Sequence, residues 1–89
     1  MIKSELEIIN QLGLHARAAA KFVDLASHFR SSIEVERQGR TVNGKSIMGV
    51  MMLAAGKGKK INVSIDGDDA ELAMKALTSL VANRFGESE

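Results

Sequence analysis

The sequence predicts a two-layer α+β fold in the order β-α-β-β-α-β-α, on three observations. Several short stretches alternate apolar and polar residues with a period of two. Between them lie segments whose apolar residues recur at helical spacing. The 89 residues contain no proline, no low-complexity tract and no linker, and a chain of this length supports one core burying roughly 60–65% of its unfolded surface. One domain over residues 1–89 is expected, with one site and one or two interaction faces.

Ile2, Ser4, Leu6 and Ile8 alternate with charged or outward positions, which reads as a strand with one buried face. Asn10 to Gly13 read as a turn. From Ala16 to about Ser27, Ala19, Phe22, Val23 and Ala26 form a helical stripe. Ile33 and Val35 alternate with Glu34 and Glu36, Gln38-Gly39 turns, and Arg40 to Val42 returns as a hairpin. Ser46 is placed to cap a short helix from Ile47 to about Leu53, and Gly56 to Lys60 form a solvated connector. Ile61, Val63 and Ile65 give a fourth strand. Gly67-Asp68-Asp69 turns into and caps a last helix with the stripe Ala73, Ala76, Leu77, Leu80 and Val81. With every strand apolar on one side only, the other face of the sheet is left to water.

Composition narrows the function classes. Twelve basic and 11 acidic residues nearly cancel to a net charge of +1, so no global field draws in nucleic acid or an anionic membrane. There is no cysteine, hence no disulfide, thiolate chemistry or cysteine-rich zinc site, which suits a reducing cytoplasm. The amino-terminal residues lack the apolar run of a signal peptide, and the nearly apolar stretch Ile47 to Ala55 is about half a membrane span. A small RNA-binding module using Gly56-Lys57-Gly58-Lys59-Lys60 is disfavoured, because three phenylalanines and no Tyr or Trp leave it without stacking platforms.

Two stretches carry chemistry. Gly13-Leu14-His15-Ala16-Arg17 sets an imidazole where the turn gives way to the first helix. A helix start offers unpaired amides and a positive dipole end, an anion site. Histidine is a poor cap, so His15 is read as a nucleophile whose neutral form the local donors favour, with Arg17 supplying a planar fork for phosphate oxygens. The competing reading places His15 on the core stripe with Ala19 and Phe22. The second stretch, Asn43-Gly44-Lys45-Ser46-Ile47-Met48-Gly49, opens a helix. At 100° per residue Ile47, Val50, Leu53 and Ala54 share one arc and Met48, Met51 and Met52 the other. Three methionines facing outward form an adaptable patch for partners. His28 lies about 220° around an ideal helix from His15, with no ligand set around it, and reads as a surface residue; no metal site is expected.

With both stretches in view, the chain resembles the HPr family of phosphocarriers of the bacterial phosphoenolpyruvate-dependent phosphotransferase system. The resemblance covers essentially the whole length. It implies an open-faced β-sandwich, a four-stranded antiparallel sheet covered on one face by three helices, in agreement with the periodicities. It further implies that His15 accepts a phosphoryl group on Nδ1 from enzyme I and passes it to an EIIA protein or domain. Arg17 and the helix-start amides of Ala16 and Ala18 would contact the phosphoryl oxygens. Ser46 corresponds to the residue phosphorylated by HPr kinase/phosphorylase where that enzyme exists, and Ile47, Met48 and Met51 lie where partners dock, transcription regulators among them. No cofactor and no stable self-association are implied, and the protein would be a carrier rather than an independent enzyme. The alternatives are a carrier of the nitrogen-related branch and a mainly regulatory adaptor; the Ser46 context leans toward the sugar-type carrier or a branch retaining the kinase, and His15 argues against pure regulation. One departure stands out: family members commonly carry proline directly after the loop arginine, where this chain has Ala18. Alanine restores an N–H and loosens the unfolded chain, which bears on loop rigidity rather than on transfer.

Overall fold

The computed structural model describes residues 1–89. Strand β1 (Ile2–Glu7) leads to helix α1 (Ala16–Ala26), followed by β2 (Ser32–Arg37), β3 (Arg40–Asn43), α2 (Ile47–Met52), β4 (Lys60–Asp66) and α3 (Ala70–Ala82), with a short 3₁₀ turn at Arg84–Gly86. The sheet order is β1-β4-β2-β3 and every pairing is antiparallel. The architecture is therefore the expected one, four antiparallel strands with three helices on one face.

The period-two pattern fixes which face is covered. Leu6, Ile33, Val35, Ile61, Val63 and Ile65 are buried, while Lys3, Glu5, Glu34, Asn62 and Asp66 between them are exposed. Register follows: Val63 sits opposite Ser4 on one side and Val35 on the other. The β2-β3 hairpin closes at Arg37 opposite Arg40. Gln38 and Gly39 both have positive φ, 52° and 81°, the conformation of a two-residue turn that matches strand twist.

Helix α1 buries the expected stripe of Ala19, Phe22, Val23 and Ala26, with Ala18 added. Helix α3 departs from expectation at two positions. Met74 is buried, whereas Ala76 and Leu80 are only partly covered; the buried set is Ala70, Ala73, Met74, Leu77 and Val81. These residues recur at i, i+3, i+4, i+7 and i+11, one continuous helical stripe on which Met74 lies and Ala76 does not.

Asp69 occupies the first flanking position of α3 but does not cap it through its side chain. Its carboxylate instead accepts from the amides of Arg30 at 2.9 Å and Ser31 at 3.0 Å, and from the Ser31 hydroxyl. Two turns at the same end of the sheet are thereby joined. They approach closely because Gly67 has no side chain: a Cβ there would lie 2.5 Å from Ser31 Oγ. The Ser31 hydroxyl, then the Arg30 amide, hold the Asp69 carboxyl below its ordinary value.

Helix α2 differs from the expected split of its faces. Val50 and Leu53 are buried as read, and Met48, Met51 and Met52 are exposed, but Ile47 and Ala54 are exposed as well. The helix has only six residues. Its first residue, Ile47, borders the groove between α1 and α2, and Ala54 lies past its end with φ of 51°, off the helical arc.

Candidate functional site

The loop from Asn10 to His15 is built on buried contacts. Leu14 is buried and its amide donates to Ala55 O at 2.9 Å. Gly13 has φ of +70°, and a Cβ there would lie 2.7 Å from Ala55 O and from Gly56 Cα, so only glycine lets the two backbones meet. Asn10 is fully buried and its Nδ2 donates to Gly13 O at 2.9 Å. These bonds hold the loop without a proline after Arg17.

His15 flanks the start of α1 in extended conformation, φ −75° and ψ −179°, and its side chain makes no capping bond. Its carbonyl accepts the first helical bond from Ala19 N at 2.8 Å. The side chain is 29% exposed, so the placement on the core stripe is excluded and the ring faces an open cleft. The amides of Ala16, Arg17 and Ala18 precede the first helical bond and have no backbone partner. Arg17 borders the same cleft and forms no ion pair with any side chain. Ala16 is exposed, whereas the Ala18 side chain is buried in the core.

The sequence reading missed the far side of this cleft. Residues 87–89 return to it, and Oε2 of Glu87 lies 2.6 Å from Nε2 of His15. Oε1 of Glu87 accepts from Asn10 Nδ2 at 2.9 Å, and Gln11 N donates to Glu89 O at 2.9 Å. The hydrogen bond from Asn10, then that from His15, hold the Glu87 carboxyl below its ordinary value, with the positive charge of Lys21 adding to them. Phe85, four residues beyond Val81 and completely buried, was the available signal, because it extends the apolar spacing of α3 past its end.

A second shallow groove joins Arg17 to α2. It is lined by Arg17, Ala20, Lys21, Asp24 and Ile47 among others. Exposed Met48 and Met51 adjoin Ile47 on α2. Ser46 flanks the helix start, and its Oγ accepts from Gly49 N at 3.1 Å. His28 is exposed, with Nδ1 2.7 Å from Asp24 O. No group of three or more His, Cys, Asp or Glu side chains is placed to hold a metal ion.

The family model described as "PTS HPr component phosphorylation site" matches residues 2–83. The chain belongs to the HPr family. Curated HPr relatives include the phosphocarrier protein HPr of Cupriavidus necator and that of Neisseria meningitidis. Each is 55% identical over 89 residues, covering 100% of both chains. Among solved structures, an HPr from Thermoanaerobacter tengcongensis superposes with a TM-score of 0.96 at 48% identity, covering 100% of each chain. An HPr from Bacillus anthracis gives 0.86 at 44%, covering 90% of this chain and 95% of that one. HPr-family membership makes the protein a phosphocarrier of the phosphotransferase system. No helix of this HPr-family chain is long and apolar enough to cross a membrane.

Proposed function

We propose that His15 is the residue that carries the phosphoryl group, within a single HPr-like domain spanning residues 1–89. The carrying observation is the ring's setting: Nε2 is engaged by Glu87, which leaves Nδ1 as the nitrogen free for attack. In this reading Nδ1 accepts the phosphoryl group from the phosphohistidine of enzyme I and yields it to a histidine of an EIIA protein or domain. The transferring group passes through a loose state with charge on its equatorial oxygens. Arg17 and the unpaired amides of Ala16, Arg17 and Ala18 balance that charge. A carrier must also release what it binds, and an open cleft with few contacts avoids trapping the phosphoryl group.

The groove from Arg17 to Ile47 and the methionines Met48 and Met51 supply the docking face in the same proposal. Large exposed apolar side chains beside a charged rim fit successive partners that dock in turn. Ser46 at one end of this face is the regulatory position, open to HPr kinase/phosphorylase in a bacterium that has it. Transcription regulators are further partners for the same surface, and the protein acts as a cytoplasmic monomer.

Incubation with enzyme I and labelled phosphoenolpyruvate tests the assignment. The label on the wild-type chain is expected to be acid-labile and base-stable, and absent from His15→Ala. Undiminished labelling of His15→Ala removes His15 from this role.

A further inference from the structure

We propose that Glu87 is a positioning residue for phosphotransfer, holding a proton on Nε2 of His15 so that Nδ1 presents its lone pair during both loading and unloading. The inference rests on the assignment of His15 as the phosphoryl carrier.

The geometry allows one placement of the proton. An ionised carboxylate only accepts hydrogen bonds, so a 2.6 Å contact between Glu87 Oε2 and His15 Nε2 requires the hydrogen to come from Nε2. A neutral imidazole has one protonated nitrogen. With Nε2 protonated, Nδ1 carries the lone pair.

The carboxylate is itself held from behind. Its other oxygen accepts from Nδ2 of Asn10, which is fully buried and donates at the same time to Gly13 O. The buried amide therefore aims the carboxylate, and the carboxylate aims the ring, a relay of orientation like that of a base fixed by a third group. The Glu87 side chain is 15% exposed, so water competes weakly for it.

The backbone that delivers Glu87 is unusual. Arg84, Phe85 and Gly86 have φ of 55°, 55° and 79°, three consecutive left-handed residues of which two carry side chains. Such residues persist only where their surroundings over-determine them. Here Phe85 is wholly buried, Phe85 O accepts from Lys21 Nζ at 2.7 Å, and the Gly86 and Glu87 amides donate to Asn83 O and Arg84 O. The left-handed turn reverses the chain after α3 and directs Glu87 back to the cleft.

The chemistry balances without any proton leaving the pair. In loading, the Nδ1 lone pair forms the N–P bond while the bond from phosphorus to the donor's histidine breaks, its electrons returning to that nitrogen. The His15 ring becomes cationic, with its proton still on Nε2 against the Glu87 carboxylate. Unloading reverses this: the Nδ1–P electrons return to Nδ1 as the acceptor nitrogen bonds to phosphorus, and the ring is again neutral with Nε2–H.

Imidazole nitrogen NMR on the full chain, combined with rapid-mixing transfer from phosphorylated enzyme I, tests the role. The neutral wild-type ring is expected as the Nε2–H tautomer alone. In Glu87→Ala a mixture of both tautomers is expected, with loading slowed roughly three- to tenfold, the net size of one intramolecular hydrogen bond. Glu87→Gln keeps one accepting oxygen for two donors, Asn10 Nδ2 and His15 Nε2, so it is expected to lie between the wild type and Glu87→Ala in both tautomer content and rate. A Glu87→Ala ring that stays in the Nε2–H tautomer overturns the proposal whether or not the rate falls, because any loss is then structural. Label found elsewhere than on His15 would instead remove the carrier assignment, independently of the tautomer result.

Discussion

Oγ of Ser46 accepts a hydrogen bond from the amide of Gly49 at 3.1 Å, so the proposed site of regulation is also the cap of α2. The next turn is tight: a Cβ on Gly49 would lie 3.2 Å from Val42 Cβ and 3.3 Å from Ser46 Oγ. Ser46→Ala is expected to cost about 1 kcal/mol, read as a fall of roughly 4–8 °C in melting temperature. Ser46→Asp keeps an acceptor at the cap and adds a negative charge beside Ile47. It is expected to melt near the wild type while slowing transfer from enzyme I, with the deficit shrinking as salt is raised. A deficit that ignores salt would indicate a rearranged helix instead.

Gly13 sets the height of the histidine loop. Gly13→Ala forces a methyl group against the backbone of Ala55 and Gly56 at a φ that disfavours alanine, and roughly 2–4 kcal/mol of stability is expected to go. Because Leu14 and His15 follow directly, loading by enzyme I is expected to fall as well. Thermal unfolding and labelling measured on the same sample check both.

The Asp69 carboxylate ties the start of α3 to Arg30 and Ser31. Asp69→Ala is expected to lower the melting temperature by about 5–15 °C at pH 7. The bonding partners depress the carboxyl in the folded state. Its stabilisation is therefore complete above the ordinary 3.8 of an unfolded aspartate and lost as pH falls through the lower folded value. The gap between wild type and Asp69→Ala is expected to be constant from pH 7 to about 5 and to close on further acidification. A gap independent of pH down to 2 would show that the interaction is not ionic.

Met48 is 70% exposed and supports nothing in the core. Met48→Ala is expected to leave the melting temperature within a few degrees of wild type. Affinity for enzyme I is expected to weaken about five- to tenfold, as when a contact apolar side chain is truncated. Calorimetric titration of the two proteins measures this directly.

The sheet was legible because its apolar residues alternate strictly: Ile61, Val63 and Ile65 could face only one way. The first helix was equally plain in Ala19, Phe22, Val23 and Ala26. His15, Arg17 and Ile47 were legible as residues, and the fold brings all three onto one continuous surface. Side-chain destinations across long sequence separations were not legible. Asp69 looks like an ordinary cap from its neighbours, and only the fold places Arg30 and Ser31 beside it. Ile47 was assigned inward by helical angle, which fails in a helix too short to lie wholly over the core. Glu87 was invisible for a stronger reason. It reaches His15 through consecutive left-handed residues, and no local preference of Arg84 or Phe85 announces that conformation.

Seventy-two positions separate His15 from Glu87, which gives the cleft an order of assembly. During synthesis the imidazole loop and α1 leave the ribosome well before the wall that faces them. A nascent chain therefore holds His15 before it holds the carboxylate placed against it, and the contact forms only once α3 has packed and the left-handed turn behind it has closed.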